Sequence, residues 1–231
     1  MLNVLCLKFG NKYSSDYVNK LYNMVQRHLT VPHRFVCFTE DPQGLDPRIE
    51  IKSLPIDETI KGWWWKTYLF KDDHFTAGET NLYFDLDIVI IDNIDKLLTH
   101  MPGHFIGFED PGKIFNKIPK LNSSVMRWCS GHYSDIWNLY RSDRRQSSGL
   151  MGDQDWIWKL HQPSIKFYPD PWIQSYKWQV RRHSELSRMG AVQTFKTVRD
   201  PEVDPNTSIF VFHGTPNPEH VADTIVVDNW R

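Results

Sequence analysis

Asp85 and Asp87 stand one residue apart in an otherwise apolar stretch, between Phe84 and the run Ile88–Ile91. An ionised carboxylate in a low-dielectric site costs on the order of several kcal/mol unless a cation or a donor compensates it, and neighbouring carboxylates repel each other. A divalent cation removes both penalties, and oxygen ligands at this spacing suit Mg²⁺ or Mn²⁺ and hence a phosphate-bearing substrate. The competing interpretation is a strand end with both carboxylates in solvent, which the apolar residues after Asp87 disfavour.

Three further segments combine residue types that suit ligand binding. His213 ends an apolar strand pattern, and Gly214 after it lets the backbone turn and brings an imidazole and free N–H groups towards a ligand. Asp153 and Gln154 open a helical pattern, where capping and the helix dipole also explain a carboxylate. The segment Asn122–Ser124 places small hydrogen-bonding residues between apolar ones, which is typical of a strand that faces a polar ligand.

The elements that must position these residues follow an α/β order. Apolar runs predict strands at residues 2–8, 34–39, 49–53, 81–84, 88–91, 104–108, 121–128, 165–168 and 208–212. Amphipathic spacing predicts helices at residues 17–29, 62–75, 133–141 and 152–161. The run 88–91 fits either a strand buried on both faces or a short strand packed below the sheet. The stretch 169–207 predicts irregular structure with one helical piece near 175–187.

The composition predicts one ordinary globular domain. The chain has 231 residues, 40% of them hydrophobic and 24% charged, and a formal net charge of −1, which does not indicate an electrostatic nucleic-acid or membrane binder. No stretch approaches the roughly 20 apolar residues that span a bilayer, so no transmembrane segment is expected. The three cysteines, Cys6, Cys37 and Cys129, have no Cys-x-x-Cys spacing, and a reducing cytoplasm is the expected location.

Taken in order, these motifs resemble those of the GT-A glycosyltransferases, most closely the retaining, family 8-like group that includes glycogenin and the bacterial lipopolysaccharide galactosyltransferases. The segments that carry the resemblance are Phe84–Asp87, Asn122–Met126, Gly152–Asp155 and His213–Gly214. The resemblance implies a single α/β domain of GT-A type over residues 1–231, with a Rossmann-like nucleotide-binding half, a mixed central sheet and helices on both faces. It also implies that residues 1–100 bind the nucleotide and the metal and that residues 101–231 bind the sugar and the acceptor.

The same resemblance implies roles for the motif residues at the metal and at the reacting sugar. Asp85 and Asp87 look like the Asp-x-Asp that binds Mn²⁺ (or Mg²⁺) and the donor diphosphate, and His213 looks like the third metal ligand. Asp153 and Gln154 look like the residues that contact the sugar near its anomeric carbon, which makes them the implied catalytic residues.

Five residues are implied to bind the donor: Tyr13, Lys66, Asn122, Ser123 and Gly214. By resemblance, Asn122 and Ser123 lie at the donor sugar, Lys66 braces the donor site and Tyr13 stacks on the base. The chain departs from the family pattern in two places. Its Asn-Ser-Ser segment has no glycine, and no lysine follows Gly214 where the family has a phosphate-binding one.

The implied function is transfer of a sugar from a nucleotide sugar, expected to be UDP-linked, with retention of configuration. The acceptor stays open between a glycan, a protein side chain and a modified nucleic-acid base. Two other functions compete. In a haloacid-dehalogenase-like phosphatase, Asp85 would be the nucleophile and Asp87 the acid/base. In a non-catalytic sugar-binding module, tryptophans would supply the stacking faces, namely Trp63, Trp64, Trp65, Trp172 and Trp178.

Overall fold

The computed structural model describes residues 1–55, 57–112, 119–181 and 200–231. The strands are β1 (Leu2–Lys8), β2 (Arg34–Thr39), β3 (Glu50–Ser53), β4 (Thr80–Phe84), β5 (Ile88–Ile90), β6 (Ile106–Glu109), β7 (Leu121–Cys129), β8 (Lys166–Phe167), β9 (Ile173–Ser175) and β10 (Ile209–Val211). The α-helices are α1 (Ser15–His28), α2 (Lys96–Thr99), α3 (Asp135–Ser142), α4 (Asp153–His161) and α5 (Thr224–Val227). Short 3₁₀ segments cover Gly62–Phe70, Arg144–Ser147, Asp170–Trp172 and Pro218–His220, and a π-helix covers Tyr176–Val180.

The larger sheet has seven strands in the order β3-β2-β1-β4-β7-β6-β8. Strands β1 to β4 run parallel, while β7 is antiparallel to both β4 and β6. Successive side chains of β1 point to opposite faces, so that Val4 and Cys6 join one core cluster and Leu5 joins the other. The expected mixed central sheet is therefore confirmed.

Helices cover both faces of this sheet, as expected. On one face α1 buries Val18 and Leu21 at helical spacing. On the other face the 3₁₀ segment Gly62–Phe70, α3 and α4 contribute Trp65, Ile136 and Trp156 to the second cluster. Within the described ranges, no helix is both long and apolar enough to cross a bilayer.

A second, three-stranded sheet has the order β5-β10-β9. Strand β10 is antiparallel to β5 and parallel to β9. Both interpretations of residues 88–91 are met: Ile88, Val89 and Ile90 are all fully buried, so the strand is buried on both faces. It is also a short strand outside the main sheet, because Ile88 pairs with Val211 of β10. The chain therefore leaves the large sheet at Phe84 and enters the small sheet at Ile88.

Two local predictions differ from the structure. The helix expected at 62–75 is a 3₁₀ segment that ends at Phe70, and within it the Thr67 hydroxyl donates to the Trp64 carbonyl at 2.8 Å, which competes with regular α-helical bonding. Strand β9 lies in the stretch predicted to be irregular, because three residues form a strand only by pairing with the distant β10. The π-helix falls within the helical piece expected at 175–187, of which residues 182–187 lie outside the described residues.

Candidate active site

Lys66 is the residue that brings three of the sequence motifs together. It is 8% exposed, and its Nζ lies 2.8 Å from Asp85 Oδ1, 3.1 Å from Ser123 Oγ and 3.8 Å from Asp153 Oδ2. Burial disfavours the charged ammonium, but the carboxylates of Asp153 and Asp85 outweigh burial and raise the pKa of Lys66. Lys66 is therefore a buried cation that neutralises part of the negative charge around it.

Asp85 and Asp87 lie where the chain crosses from the large sheet to the small one. The backbone N–H of Asp85 donates to the Ser124 carbonyl of β7 at 2.9 Å, and the carbonyl of Asp87 accepts from the Phe212 N–H at 3.0 Å. Backbone bonds to both sheets thus fix the two carboxylates just beyond the carboxyl end of β4, a parallel strand. Ligands of open α/β sheets bind at this edge.

The two carboxylates differ in what compensates their charge. Asp85 pairs with Lys66 and also accepts the Tyr83 hydroxyl at 2.7 Å. Asp87 is 8% exposed, and its side-chain partner in the described structure is the Tyr13 hydroxyl at 2.8 Å. Burial and, second to it, the charge of Asp85 raise the pKa of Asp87 to about 6. The pair therefore retains negative charge that a bound cation relieves.

Asp153 and Gln154 begin α4. Asp153 is 3% exposed, and its Oδ2 has no hydrogen-bond partner among the described residues. Burial raises the pKa of the Asp153 carboxyl, and Lys66 opposes the shift. Gln154 is half-buried, and its Nε2 lies 3.5 Å from Asp110 Oδ2. An orphaned carboxylate oxygen beside a buried ammonium is placed to meet a polar ligand.

Asn122 and Ser123 reach the same place from β7. The strand pairs with β4, with Val125 opposite Phe84, so its preceding residues run alongside the aspartate segment. Ser123 Oγ accepts from Lys66 at 3.1 Å, and Asn122 Oδ1 accepts from the Ser124 N–H at 3.0 Å.

His213 follows β10, one residue past the Phe212–Asp87 hydrogen bond. Its Nε2 lies 2.6 Å from Ser175 Oγ, and its ring centroid lies 4.2 Å from that of Trp178. Burial, reinforced by the charge of Lys177, lowers the pKa of His213 to about 3, so the imidazole is neutral. The turn continues through Gly214, whose φ of +72° lies in the left-handed region that favours glycine.

Tyr13 lies after β1 and reaches Asp87 through its hydroxyl. Its ring centroid is 4.7 Å from that of Tyr17, and Lys12 Nζ lies 4.5 Å from it. The expected stacking of Tyr13 on a base stays a prediction, while its contact with the Asp-x-Asp is a finding.

The donors present suit a hard divalent cation. Asp87 supplies a carboxylate without a positive partner at hydrogen-bond distance among the described residues, Asp85 lies beside it, and His213 is held in the neutral form that binds metals. In the part of the chain that the structure describes, no three His, Cys, Asp or Glu side chains form a group ready to hold an ion. A cation held by one or two carboxylates completes its shell with water and substrate phosphates. The residues therefore fit a cation that binds together with a phosphorylated ligand.

Sequence reasoning missed three residues that support the site, Tyr83, Asp110 and Ser175, and it considered Trp178 only as a stacking face for a sugar. Tyr83 could have been found from the sequence, because residues two apart on a strand point to the same face and Tyr83 precedes Asp85 by two. Ser175 and Trp178 carried no such signal, since they meet His213 only through the pairing of β9 with β10.

The mixed seven-stranded sheet, with its Asp-x-Asp at the crossing to the small sheet, has the fold of the GT-A glycosyltransferases. The galactosyltransferase LgtC, solved in complex with donor and acceptor sugar analogs, matches with a TM-score of 0.65 and 14% identity over 98% of this chain and 96% of that chain. An active-site mutant of LgtC matches with a TM-score of 0.66 and 14% identity over 98% of this chain and 94% of that one.

The glycosyltransferase GlyE of Streptococcus pneumoniae TIGR4 matches with a TM-score of 0.67 and 12% identity over 100% of this chain, which spans 60% of that protein. No known family model matches the sequence, and no curated protein is similar to it in sequence. At these identities the likeness shows a shared fold, which confirms the fold expected from the sequence.

Proposed function

We propose that this chain is a glycosyltransferase that moves a sugar from a nucleotide sugar, expected to be UDP-linked, to an acceptor with retention of configuration. The observation that carries the proposal is the position of Lys66, whose ammonium joins Asp85, Ser123 and Asp153 from three separate motifs. A solvent-exposed aspartate pair at a strand end has no need of such a partner. The galactosyltransferase with a similar fold was solved with donor and acceptor sugar analogs, which supports this class of substrates.

At the phosphate end of the donor, Asp85, Asp87 and His213 are proposed to hold a divalent cation, Mn²⁺ or Mg²⁺. When bound, the cation supplies Lewis-acid stabilisation of the charge on the departing nucleoside diphosphate. Asp87 attracts it because its buried carboxylate lacks a positive partner at hydrogen-bond distance among the described residues. Lys66 keeps Asp85 in place by a direct ion pair.

At the sugar end, Asp153 and Gln154 are proposed to lie beside the anomeric carbon, with Asn122 and Ser123 on the sugar hydroxyls. Positive charge develops at the anomeric carbon as the leaving group departs. Asp153 Oδ2, which has no hydrogen-bond partner among the described residues, is suited to stabilise that charge. Two routes to retention stay open. Either Asp153 attacks as a transient nucleophile, or the acceptor enters on the face of the leaving group beside Gln154.

The rest of the proposal follows the division of the chain. Residues 1–100, with Tyr13 at the base, are proposed to bind the nucleotide and metal, and residues 101–231, including Gly214, to bind sugar and acceptor. A glycan, a protein side chain and a modified nucleic-acid base stay open as acceptors. A reducing cytoplasm suits the free thiols of Cys6, Cys37 and Cys129.

Thermal melting with a ligand panel tests the proposal. UDP, GDP, ADP and their sugars are each added with and without Mn²⁺, and the release of free nucleoside diphosphate is followed because water can replace the acceptor. A ligand at about 100 times its Kd stabilises the native state by about 2.7 kcal/mol. We expect a Mn²⁺-dependent rise in Tm with one nucleotide, expected to be UDP, and slow release from its sugar.

The matched variants are Asp87→Asn and, as a control, Asp92→Asn on the exposed segment after β5. Asp87→Asn is expected to remove the Mn²⁺-dependent rise, and Asp92→Asn to keep it. A folded protein that responds to no nucleotide, or an Asp87→Asn variant with full turnover, contradicts the proposal. Hydrolysis of a simple phosphomonoester would instead support the phosphatase interpretation.

A further inference from the structure

Lys177 is a half-buried cation to which the proposed function assigns no role. It belongs to the π-helix Tyr176–Val180, and its Nζ lies 5.5 Å from the ring centroid of Trp178. Within residues 1–55, 57–112, 119–181 and 200–231, no carboxylate lies at ion-pairing distance from it, in contrast to Lys66. A desolvated ammonium without a counter-ion is costly unless a ligand supplies the negative charge.

The backbone beside this ammonium is shaped to admit a ligand. A Cβ atom on Gly214 would lie 3.6 Å from Lys177 Nζ, so the two groups are immediate neighbours. Gly214 and Thr215 are both exposed, and their N–H groups make no hydrogen bond to any part of the chain that the structure describes. An ammonium next to unpaired backbone N–H groups is an arrangement that binds anions.

The position of this positive group relative to the carboxylates indicates the class of anion. Lys177 and Gly214 lie beside His213, and the preceding Phe212 is hydrogen-bonded to Asp87. The site thus has negative charge at Asp85 and Asp87, which suits a cation, and beside it the positive charge of Lys177, which suits an anion. A nucleoside diphosphate that carries a divalent cation has both complementary charges in one ligand.

We propose that Lys177, together with the backbone N–H groups of Gly214 and Thr215, binds the diphosphate of the donor nucleotide. This assignment rests on the proposed function and adds to it a residue from outside every sequence motif. Lys177 would hold the donor in the ground state and stabilise the negative charge that grows on the diphosphate as the bond to the sugar breaks. Its charge-assisted hydrogen bonds act on the phosphates and not on the base or the sugar.

The proposal is tested by calorimetric titration in the presence of Mn²⁺ with three probes: UDP, UMP and inorganic pyrophosphate. The variants are Lys177→Gln, which removes the charge and leaves a polar side chain one atom shorter, and Lys177→Arg, which keeps the charge. Lys159→Gln is the matched control, because Lys159 Nζ also lies near a tryptophan ring, 5.7 Å from the centroid of Trp156. Melting curves confirm that each variant is folded.

We expect Lys177→Gln to weaken the binding of UDP and pyrophosphate by about tenfold or more, and that of UMP by much less. Lys177→Arg should recover most of the affinity, which a purely structural role in the π-helix would not predict, and Lys159→Gln should bind like the wild type. If the wild type binds UDP and pyrophosphate but Lys177→Gln binds them equally well, the inference is wrong and the proposed function stands. If the wild type binds no nucleoside diphosphate of the panel, the proposed function fails first and this site with it.

Discussion

The two sides of the candidate site are held in place in opposite ways. At the edge of the large sheet, Lys66 forms ion pairs with Asp85 and Asp153 and donates a hydrogen bond to the hydroxyl of Ser123. Beside the small sheet, His213 contacts the neutral groups Ser175 and Trp178, and Lys177 lies nearby without an acidic partner among the described residues. The first side holds its one buried ammonium among carboxylates, whereas the second leaves a positive charge for a ligand to compensate.

The difference also follows from the elements that carry the two sides. Strands β4 and β7 lie inside a seven-stranded sheet and pair along five positions. Strands β9 and β10 pair along three positions, and their site residues lie at or after the strand ends. We therefore expect changes to Lys66 and its partners on the first side to lower the stability of the fold, and changes on the second side to lower ligand affinity while the fold persists.

The largest effect is expected from Lys66→Met. Removal of one partner of a buried ion pair costs about 3–5 kcal/mol, because the remaining carboxylates of Asp85 and Asp153 stay buried without compensation. For a chain of this size Tm should fall by about 2–4 °C for each kcal/mol of lost stability, so we expect Lys66→Met to lower Tm by about 10 °C. Urea unfolding and thermal melting measure the loss.

Lys71→Met is the control for this change, because Lys71 lies at the end of the same 3₁₀ segment and pairs with Asp73, which is exposed. Exposed ion pairs contribute about 0–1 kcal/mol, so this variant should melt close to the wild type. Equal losses in the two variants would show that Lys66 does not hold the first side together.

Asp85→Asn and Asp87→Asn are expected to change stability in opposite directions. Asp85→Asn removes the close partner of Lys66 and should cost about 1–3 kcal/mol. Asp87→Asn keeps an oxygen for the Tyr13 hydroxyl and removes a carboxylate whose ionisation burial disfavours. At neutral pH and without metal, the second variant should therefore be as stable as the wild type or more stable, although neither variant should respond to Mn²⁺.

The difference in stability between Asp87→Asn and the wild type should depend on pH. The native carboxyl of Asp87 has a pKa of about 6 against an ordinary value of 3.8, so between these values the native state binds more protons than the unfolded state. The stability of the wild type falls as the pH rises through this window, by about 3 kcal/mol at most, and the variant lacks this loss. Unfolding in urea at about pH 4, 5, 6 and 7 should show that the free energy of unfolding of the variant rises relative to that of the wild type as the pH rises. A difference that stays constant with pH would contradict the raised pKa of Asp87.

The sequence was sufficient to predict the fold class, and it singled out Asp85 and Asp87 as candidate site residues. Strands β1 and β2 each contain a run of four apolar residues, Val4–Leu7 and Phe35–Phe38, and α1 buries an amphipathic face. Asp85 and Asp87 stood out because charge in an apolar run demands compensation. Lys66, the partner of Asp85, was reached only through the family resemblance, since nothing local links it to a residue 19 positions away.

On the second side the sequence predicted His213 and Gly214, but not the residues that contact them, for a physical reason. Strand β9 is three residues long, and its formation depends on β10, which follows more than 30 residues later. No local pattern encodes such a pairing, and the contacts of His213 with Ser175 and Trp178 depend on it. Lys177 likewise carries no motif, and only the fold places it beside Gly214.

The smallest loss of stability is expected from Ser175→Ala, which removes the hydroxyl that contacts His213 Nε2 at 2.6 Å and accepts from the Trp178 N–H at 3.2 Å. The loss should be about 1 kcal/mol, because each is a single hydrogen bond. If His213 is a metal ligand, loss of the group that orients its ring should weaken Mn²⁺ binding in the presence of UDP by about tenfold. Ser142→Ala, at the exposed end of α3, should change neither quantity. Unchanged Mn²⁺ affinity in Ser175→Ala would show that the second side does not orient a metal ligand, and the contrast between the two sides would then rest on Lys177 alone.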